Sequence, residues 1–449
     1  MFKKVLIANR GEIAVRIIRA CRELGIRCVA IYSTADKNSL HAQIADEAIC
    51  IGPPATKDSY LNMSAVIQAA LNSGADAIHP GFGFLSENAD FAKICEKKGI
   101  TFIGPSYNSI EKLGDKANAK ETMAAAGIPV IPGSKGAVSS IEEAAEIAEK
   151  AGYPVLVKAS AGGGGRGIRR VDSADELAAQ ITAARQEAKN FFGDDAVYVE
   201  KFLINPHHVE IQIIADKQGN VVYLGERDCS MQRRNQKVIE ESPSPIVDEE
   251  LRRKMGEAAV MAAKQSGYYN AGTIEFLVDE NHDFYFMEMN TRIQVEHPVT
   301  EAVTGFDLVK AQIEIASGMP LKISQEDVKI TGHAIECRIN AENPALDFRP
   351  SPGTITSLYV PGGPGIRIDG AVYHGYTITP YYDSMISKLI VHGSDRDEAI
   401  NKMKWALSEF IVEGVDTNID FQLEIIKQPE FRSGNYDIGF LNRYMEQHK

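Results

Sequence analysis

Between residues 1 and 114, short apolar runs alternate with helical stripes. Lys4 to Ala8 is an apolar strand of the buried kind. Ile13, Ile17, Ile18, Cys21 and Leu24 fall on one helical stripe, which Gly25 ends. Cys28 to Tyr32 is the next strand. The pattern recurs with strands near Ala48, Ala77 and Phe102 and helices near residues 60–72 and 87–97. Strands taking turns with helices predict a doubly wound, Rossmann-like α/β domain. Its first turn, Ala8-Asn9-Arg10-Gly11-Glu12, holds one glycine, so the fingerprint of a dinucleotide site is missing. His79-Pro80-Gly81-Phe82-Gly83-Phe84 follows a strand end, where such sheets hold ligands; a purely structural turn fits it equally well.

The middle of the chain changes period. Gly114 to Ala126 reads as a helix. It is no phosphate loop, because Ala119 stands where that motif needs Gly and Glu121 where it needs Ser or Thr. Tyr153 to Ala159, Ile168 to Val171 and Val197 to Leu203 read as strands, and Ala161 to Gly167 between the first two is glycine-rich. His208 to Gln212 alternates, with a hairpin turn near Lys217 to Asn220. Thr273 to Val278 and Phe284 to Met289 form a second hairpin, its turn centred on Asn281-His282. Beyond residue 330, His333 to Ile339 alternates, so Glu336 and Arg338 share a face. Short strands from Pro350 to Tyr382 and a helix over 395–410 follow. The expected class is α/β and α+β multidomain: a Rossmann-like domain at 1–114, a central domain at 115–330, and a separate α+β domain at 331–449 that packs back on the middle one.

Chemistry enters at Tyr285 to Pro298. Glu288, Asn290, Arg292, Gln294 and Glu296 occupy every second position, so an extended chain turns all five to one side. A solvated edge strand is the plain reading of such alternation. Against it, the hairpin places Glu275 across from Glu288, and like charges in that arrangement are destabilising without a counter-ion. Two carboxylates and an amide oxygen suit a hard cation, magnesium best. The Arg292 fork suits a carboxylate or phosphate. The glycine-rich loop lets bare amides approach phosphate. Glu226 to Lys237 concentrates four cations and is expected to form an anion pocket. Together these point to phosphoryl chemistry.

Composition narrows the partners. Net charge is −13, from 48 basic and 61 acidic residues, which disfavours a nucleic-acid polyanion. The apolar run after Lys4 is too short for a secretory signal, and no run approaches the ~18 residues of a membrane span. The six cysteines show no metal or redox spacing and read as free thiols in a reducing cytoplasm.

Glu288-Met289-Asn290-Thr291-Arg292-Ile293-Gln294-Val295-Glu296-His297 is similar to the signature of the biotin carboxylases, members of the ATP-grasp superfamily. The resemblance extends through Ala8 to Glu12, Gly162 to Gly165, Glu226 to Arg234 and Pro380 to Met385, so it covers essentially the whole chain. It implies a central ATP-grasp domain with a lid over about 131–203. Lys116, Lys158, Gly164 and Gly165 would hold ATP phosphates. Glu200, Lys201 and Leu203 would read the adenine, and His208 and Gln232 would contact the nucleotide. Glu275, Glu288 and Asn290 would bind magnesium, with manganese as a substitute. Lys237, Arg292, Gln294 and Val295 would hold bicarbonate, Glu296 would deprotonate it, and Arg338 would stabilise the biotin enolate. Phe82, near biotin, stands where the family's familiar members have Tyr, and Asn235, near the nucleotide, where they have His.

The implied activity is ATP- and bicarbonate-dependent carboxylation of biotin on a carrier protein. It serves the carboxyltransferase subunits of an acyl-CoA carboxylase built from separate chains, acetyl-CoA carboxylase first among them. A cytoplasmic homodimer is implied, and the chain ends where a stand-alone biotin carboxylase would. Two competitors are another ATP-grasp ligase, whose ATP turnover biotin would not stimulate, and a non-catalytic nucleotide sensor.

Overall fold

The computed structural model describes residues 1–114, 116–159, 168–192 and 195–448; for residues 116, 117, 159, 168 and 190–192 it describes the backbone alone. The chain forms two compact units. One comprises residues 1–127, 207–276 and 288–449, the other residues 128–206 and 277–287.

The larger unit opens with a parallel sheet in the order β3-β2-β1-β4-β5. Its strands are β1 Lys4–Ile7, β2 Arg27–Ser33, β3 Glu47–Gly52, β4 Ala77–His79 and β5 Thr101–Phe102. Helix α1, Gly11–Glu23, follows β1 and buries Ile13, Ile17, Ile18 and Cys21, the stripe that the sequence predicts. Gly11 starts α1 at φ +67°, a conformation that favours glycine.

The second sheet of this unit carries the chemistry. Its strands run in the order β13-β12-β9-β10-β11-β14, then Met385–Gly393 and Ile366–Gly370. Here β9 is His207–Ala215, β10 Val221–Arg233, β11 Gln236–Ser242, β12 Asn270–Val278, β13 Phe284–Asn290 and β14 His333–Asn340. The expected C-terminal strands therefore continue the central sheet, since β11 pairs antiparallel with β14. Ile335, Cys337 and Ile339 of β14 face an apolar core with Ala399, Ile400 and Met403 of the helix Arg396–Glu409. The alternate residues Glu336 and Arg338 face the opposite side.

The smaller unit holds a three-stranded antiparallel sheet, β7-β6-β8: β6 Val155–Ala159, β7 Ile168–Val171 and β8 Val197–Lys201. Val155, Val157, Val171, Val197 and Val199 pack with Ala144 and Ala148 of one helix and Leu177 and Ile181 of another. The predicted glycine loop between β6 and β7, with Gly164 and Gly165, lies outside the described residues.

Two local expectations change. The hairpin before β13 closes with Asp279 N–H donating to Asp283 O at 2.9 Å, which leaves a three-residue loop rather than a two-residue turn. His282 occupies the left-handed position of that loop at φ 63°. The extended chain expected through Glu296 stops at Asn290, and a helix begins at His297.

Candidate active site

Lys237 on β11 is the centre of the site. Its Nζ donates to Glu210 Oε2 at 2.7 Å, Glu275 Oε1 at 3.0 Å and Glu296 Oε1 at 2.6 Å. Glu210, Glu275 and Glu296 come from β9, β12 and the turn before the helix His297–Thr304. All three carboxylates are buried. Burial disfavours the lysine's charge, but Cys229 and the three carboxylates outweigh it and hold Lys237 well above its ordinary range.

Glu275 gathers the remaining groups. It accepts from Asn290 Nδ2 and from Gln294 Nε2, each at 2.9 Å, and its Oε2 lies 2.9 Å from His208 Nε2. Gln232 Nε2 lies 2.5 Å from His208 Nδ1. Arg292 donates to Gln294 Oε1 at 2.8 Å, Asn290 Oδ1 at 2.9 Å and Glu87 Oε2 at 2.9 Å. The alternation of residues 290–296 thus survives as shared contacts although the strand ends at Asn290. Burial pushes the Glu275 carboxyl up; Lys237 and His208 reverse that and hold it far below the usual range.

Glu296 is held from both sides. Lys237 binds Oε1, and Arg338 Nη2 donates to Oε2 at 3.0 Å. Its burial is outweighed by Lys237, Arg338 and Arg227, so it stays ionised well below the ordinary carboxylate range. Arg338 also grips Glu240 Oε1 through Nε at 2.6 Å and Nη2 at 2.5 Å. Its pairing is with Glu240 and Glu296 rather than with Glu336, its neighbour on the strand.

Glu275, Glu288 and Asn290 offer two carboxylates and an amide oxygen, a hard-donor set that suits magnesium. Glu288 lies half-buried on β13, two residues before Asn290. His208, Glu210 and Glu275 also bring ligand atoms within 4.8 Å of one another, as do Glu210, Cys229 and Glu296. Lys237 stands among both sets, so the positive charge they require is already supplied by the lysine.

Most of the remaining expected residues have their own partners. Val295 O accepts from Lys388 Nζ at 2.7 Å. Phe82 packs beside the core of α1, and its carbonyl accepts from Asn9 at 2.7 Å. Asn235 sits exposed in the β10–β11 turn with φ 64°, next to Arg234 at φ 50°. In the smaller unit Lys158 Nζ donates to Glu200 Oε2 at 2.5 Å, Lys201 N–H is spent on Pro132 O at 2.8 Å, and Leu203 is buried. Lys116 begins a helix, and its side chain lies outside the described residues.

The expected anion pocket of four cations is not formed. Arg227 is fully buried against Glu210 at 2.5 Å, Arg233 and Arg234 pair with Asp347 at 2.5 and 2.7 Å, and Lys237 joins the carboxylates. Each cation is paired with a carboxylate, Arg233 and Arg234 sharing Asp347 and Arg227 and Lys237 sharing Glu210. Glu210 and Glu240 are site residues that the sequence reading missed. Glu210 was visible in the alternation of β9, but Glu240 is brought in by a cross-strand contact that local pattern does not record.

Three family models match the chain: the biotin carboxylase N-terminal domain over residues 1–110, the ATP-binding domain of the carbamoyl-phosphate synthase L chain over 115–324, and the biotin carboxylase C-terminal domain over 336–443. Fold and matches together define a three-domain enzyme of the ATP-grasp class. Biotin carboxylase 1 of Bacillus subtilis is 59% identical over 445 residues, which is 99% of each chain. The biotin carboxylase of Haemophilus influenzae is 56% identical over 444 residues, again 99% of each chain. The biotin carboxylase domain dimer of Hydrogenobacter thermophilus 2-oxoglutarate carboxylase, solved with MgADP, ADP and bicarbonate, has a TM-score of 0.90 at 53% identity. That match covers 100% of this chain and 99% of the other. The chain belongs to the biotin carboxylase family, and it is an enzyme that carboxylates biotin at the expense of ATP.

Proposed function

We propose that this chain uses MgATP to activate bicarbonate and then carboxylates biotin presented by a carrier protein, with the roles divided around Glu296. The observation that carries this reading is a single buried carboxylate held between Lys237 and Arg338. Bicarbonate is a poor electrophile until phosphorylated and a poor nucleophile until deprotonated. Glu296 is ionised and so free to take the proton. As long as two cations hold it, it is a weak base. A bicarbonate entering beside Lys237 draws off part of that positive charge, and the basicity of Glu296 rises where it is needed.

Arg292, Gln294 and Lys237 supply the donors for the bicarbonate oxygens. Arg338 supplies the positive charge for the enolate oxygen that develops on the ureido ring. Glu275, Glu288 and Asn290 would hold magnesium, which neutralises phosphate charge during phosphoryl transfer. Lys116, Lys158, Gly164 and Gly165 are assigned to the phosphates, and Glu200, Lys201 and Leu203 to the adenine. His208 and Gln232 complete the nucleotide side.

The carrier protein and carboxyltransferase subunits are the natural partners of this half-reaction, with acetyl-CoA as the final acceptor. The dimer named for the Hydrogenobacter domain supports a homodimer. Among the described residues no helix is long and apolar enough to cross a membrane.

Paired assays test the division of roles. Glu296→Ala should lose bicarbonate-dependent ADP release and carboxybiotin formation together, by about 10²–10⁴-fold. Arg338→Gln should lower carboxybiotin formation about 10²–10³-fold and ADP release far less. Equal loss of both rates in a folded Arg338→Gln protein would show the assignment to be wrong.

A further inference from the structure

Behind Arg338 lies a second pair of acids that these roles leave unused. Glu240 on β11 and Glu336 on β14 are direct cross-strand partners, and both are fully buried. Such partners hold their Cβ atoms about 4.5–5.5 Å apart. Arg338, two residues along β14, is in turn the cross-strand partner of Lys388, and Lys388 of Asp369. Glu240, Glu336, Arg338, Lys388 and Asp369 thus form one charged band across the sheet.

Hydrogen bonding in this band is uneven. Arg338 makes both of its contacts to Oε1 of Glu240. Oε2 of Glu240 and both oxygens of Glu336 are buried without a hydrogen-bond partner. A buried, unsatisfied, ionised carboxylate is costly, and two side by side are costlier. One proton between them removes most of that cost.

The surroundings favour the same division. Burial raises Glu336 well above the ordinary carboxylate range, opposed by Lys388 and reinforced by Glu240. Burial raises Glu240 to about 7, opposed chiefly by Arg338. The charged groups facing the pair are Lys237 on β11, Arg338 on β14, and Glu296 before the helix His297–Thr304. Lys388, on the strand Met385–Gly393, completes the groups that act on the pair; around Lys388 in turn stand Glu12, Asp369, Arg367 and His297, with Glu301 paired to Arg367.

We propose that Glu240 and Glu336 share one proton, held on Glu336 at rest, and that it passes to Glu240 when Arg338 turns to the substrate. The O–H bond of Glu336 breaks and an O–H bond on Glu240 forms. The charge left on Glu336 faces Lys388, and the reverse transfer restores the pair after product leaves. The benefit follows from Arg338 having two claimants. An ionised Glu240 competes with the enolate oxygen for the guanidinium; a neutral one lets it go. Glu336 is then a positioning residue that acts through Arg338. This inference rests on the assignment of Arg338 to the biotin half-reaction.

The test uses the full chain with MgATP, bicarbonate and free biotin. It compares wild type, Arg338→Gln, Glu336→Gln, Glu336→Asp, Glu240→Gln and the double variant Glu240→Gln/Glu336→Gln between pH 6 and 9. Glu336→Gln cannot give up a proton, and its ratio of carboxybiotin to ADP should fall about tenfold, the low end of what a positioned proton donor contributes. Glu336→Asp should keep more of that ratio. The double variant should recover to near the level of Glu240→Gln alone, because an uncharged residue 240 needs no proton. An activity-independent readout is the infrared difference spectrum, in which wild type at pH 7 should show one protonated-carboxyl C=O band that Glu336→Gln lacks. A wild-type ratio in Glu336→Gln, equal loss in the single and double variants, or no difference band would each overturn the proposal. If these occur while Arg338→Gln remains selective, only the proton pair is wrong. If Arg338→Gln lowers both rates alike, the role of Arg338 and this inference fall together.

Discussion

Lys237 compensates three carboxylates from three separate segments, and this sets the protonation of the whole site. Its charge is the leading cause that opposes burial at Glu275 and at Glu296. Removing it has a definite sign. In Lys237→Gln the Glu296 carboxyl should move up toward its ordinary value, so the acid limb of the pH–rate profile for bicarbonate-dependent ADP release should shift to higher pH. The rate itself should fall as well, since a bicarbonate donor is lost. A lower rate with an unmoved acid limb would mean that Lys237 does not govern Glu296. The spacing of Asn290, Arg292, Gln294 and Glu296 was legible in the sequence, and these four share one hydrogen-bonded cluster around Glu275 and Lys237. Glu240 was not legible, because nothing local to residues 236–242 shows that Arg338 lies across the sheet. Four cations in one short stretch misled for the same reason: Asp347, the partner of Arg233 and Arg234, is more than a hundred residues away.

The β10–β11 hairpin shows how an element explains a residue. Arg233 pairs with Gln236, so Arg234 and Asn235 form a two-residue turn, and both have positive φ. Asn tolerates that conformation; a β-branched residue does not. Asn235→Val should destabilise the chain by about 1–2 kcal/mol, whereas Asn235→Gly should be neutral or stabilising, both read by urea unfolding. If the turn is the residue's only task, the KM for ATP should not change in Asn235→Gly; a large rise would support a nucleotide contact there.

Where β11 meets the C-terminal helices, Glu241 accepts from Arg396 at 2.7 and 2.9 Å and from Tyr436, and lies 2.6 Å from His333. Its burial is outweighed by His333 and Arg396, and its carboxyl falls from 4.5 to about 2. A depressed carboxylate stabilises above its unfolded value, and that contribution is lost as pH falls through the folded one. Glu241→Gln should therefore cost about 3 kcal/mol at pH 7, and the cost should shrink between pH 4.5 and 2. Trp405, the single tryptophan, lies on the helix that begins at Arg396 and reports the transition by fluorescence. A cost unchanged at pH 3 would mean that the charge on Glu241 is not what stabilises.

At the scale of the molecule, local periodicity exposed most of the strands and helices but not how distant ones combine. The parallel domain was legible because strands and helices alternate through it and every connection but the one from β3 to β4 joins adjacent strands. The C-terminal strands read as a domain that packs back on the middle one, but the means was not legible: β14 pairs with β11 across nearly a hundred residues, and this pairing brings Arg338 to Glu296. The catalytic account depends on that one sheet. Its most direct test is to supply the purified chain with MgATP, labelled bicarbonate and free biotin, and to follow ADP and acid-labile label on biotin together. The account predicts that ADP release requires bicarbonate, that biotin accelerates it, and that label accumulates on biotin in step with the added ADP. ADP release that ignores bicarbonate, with no label on biotin, would contradict it.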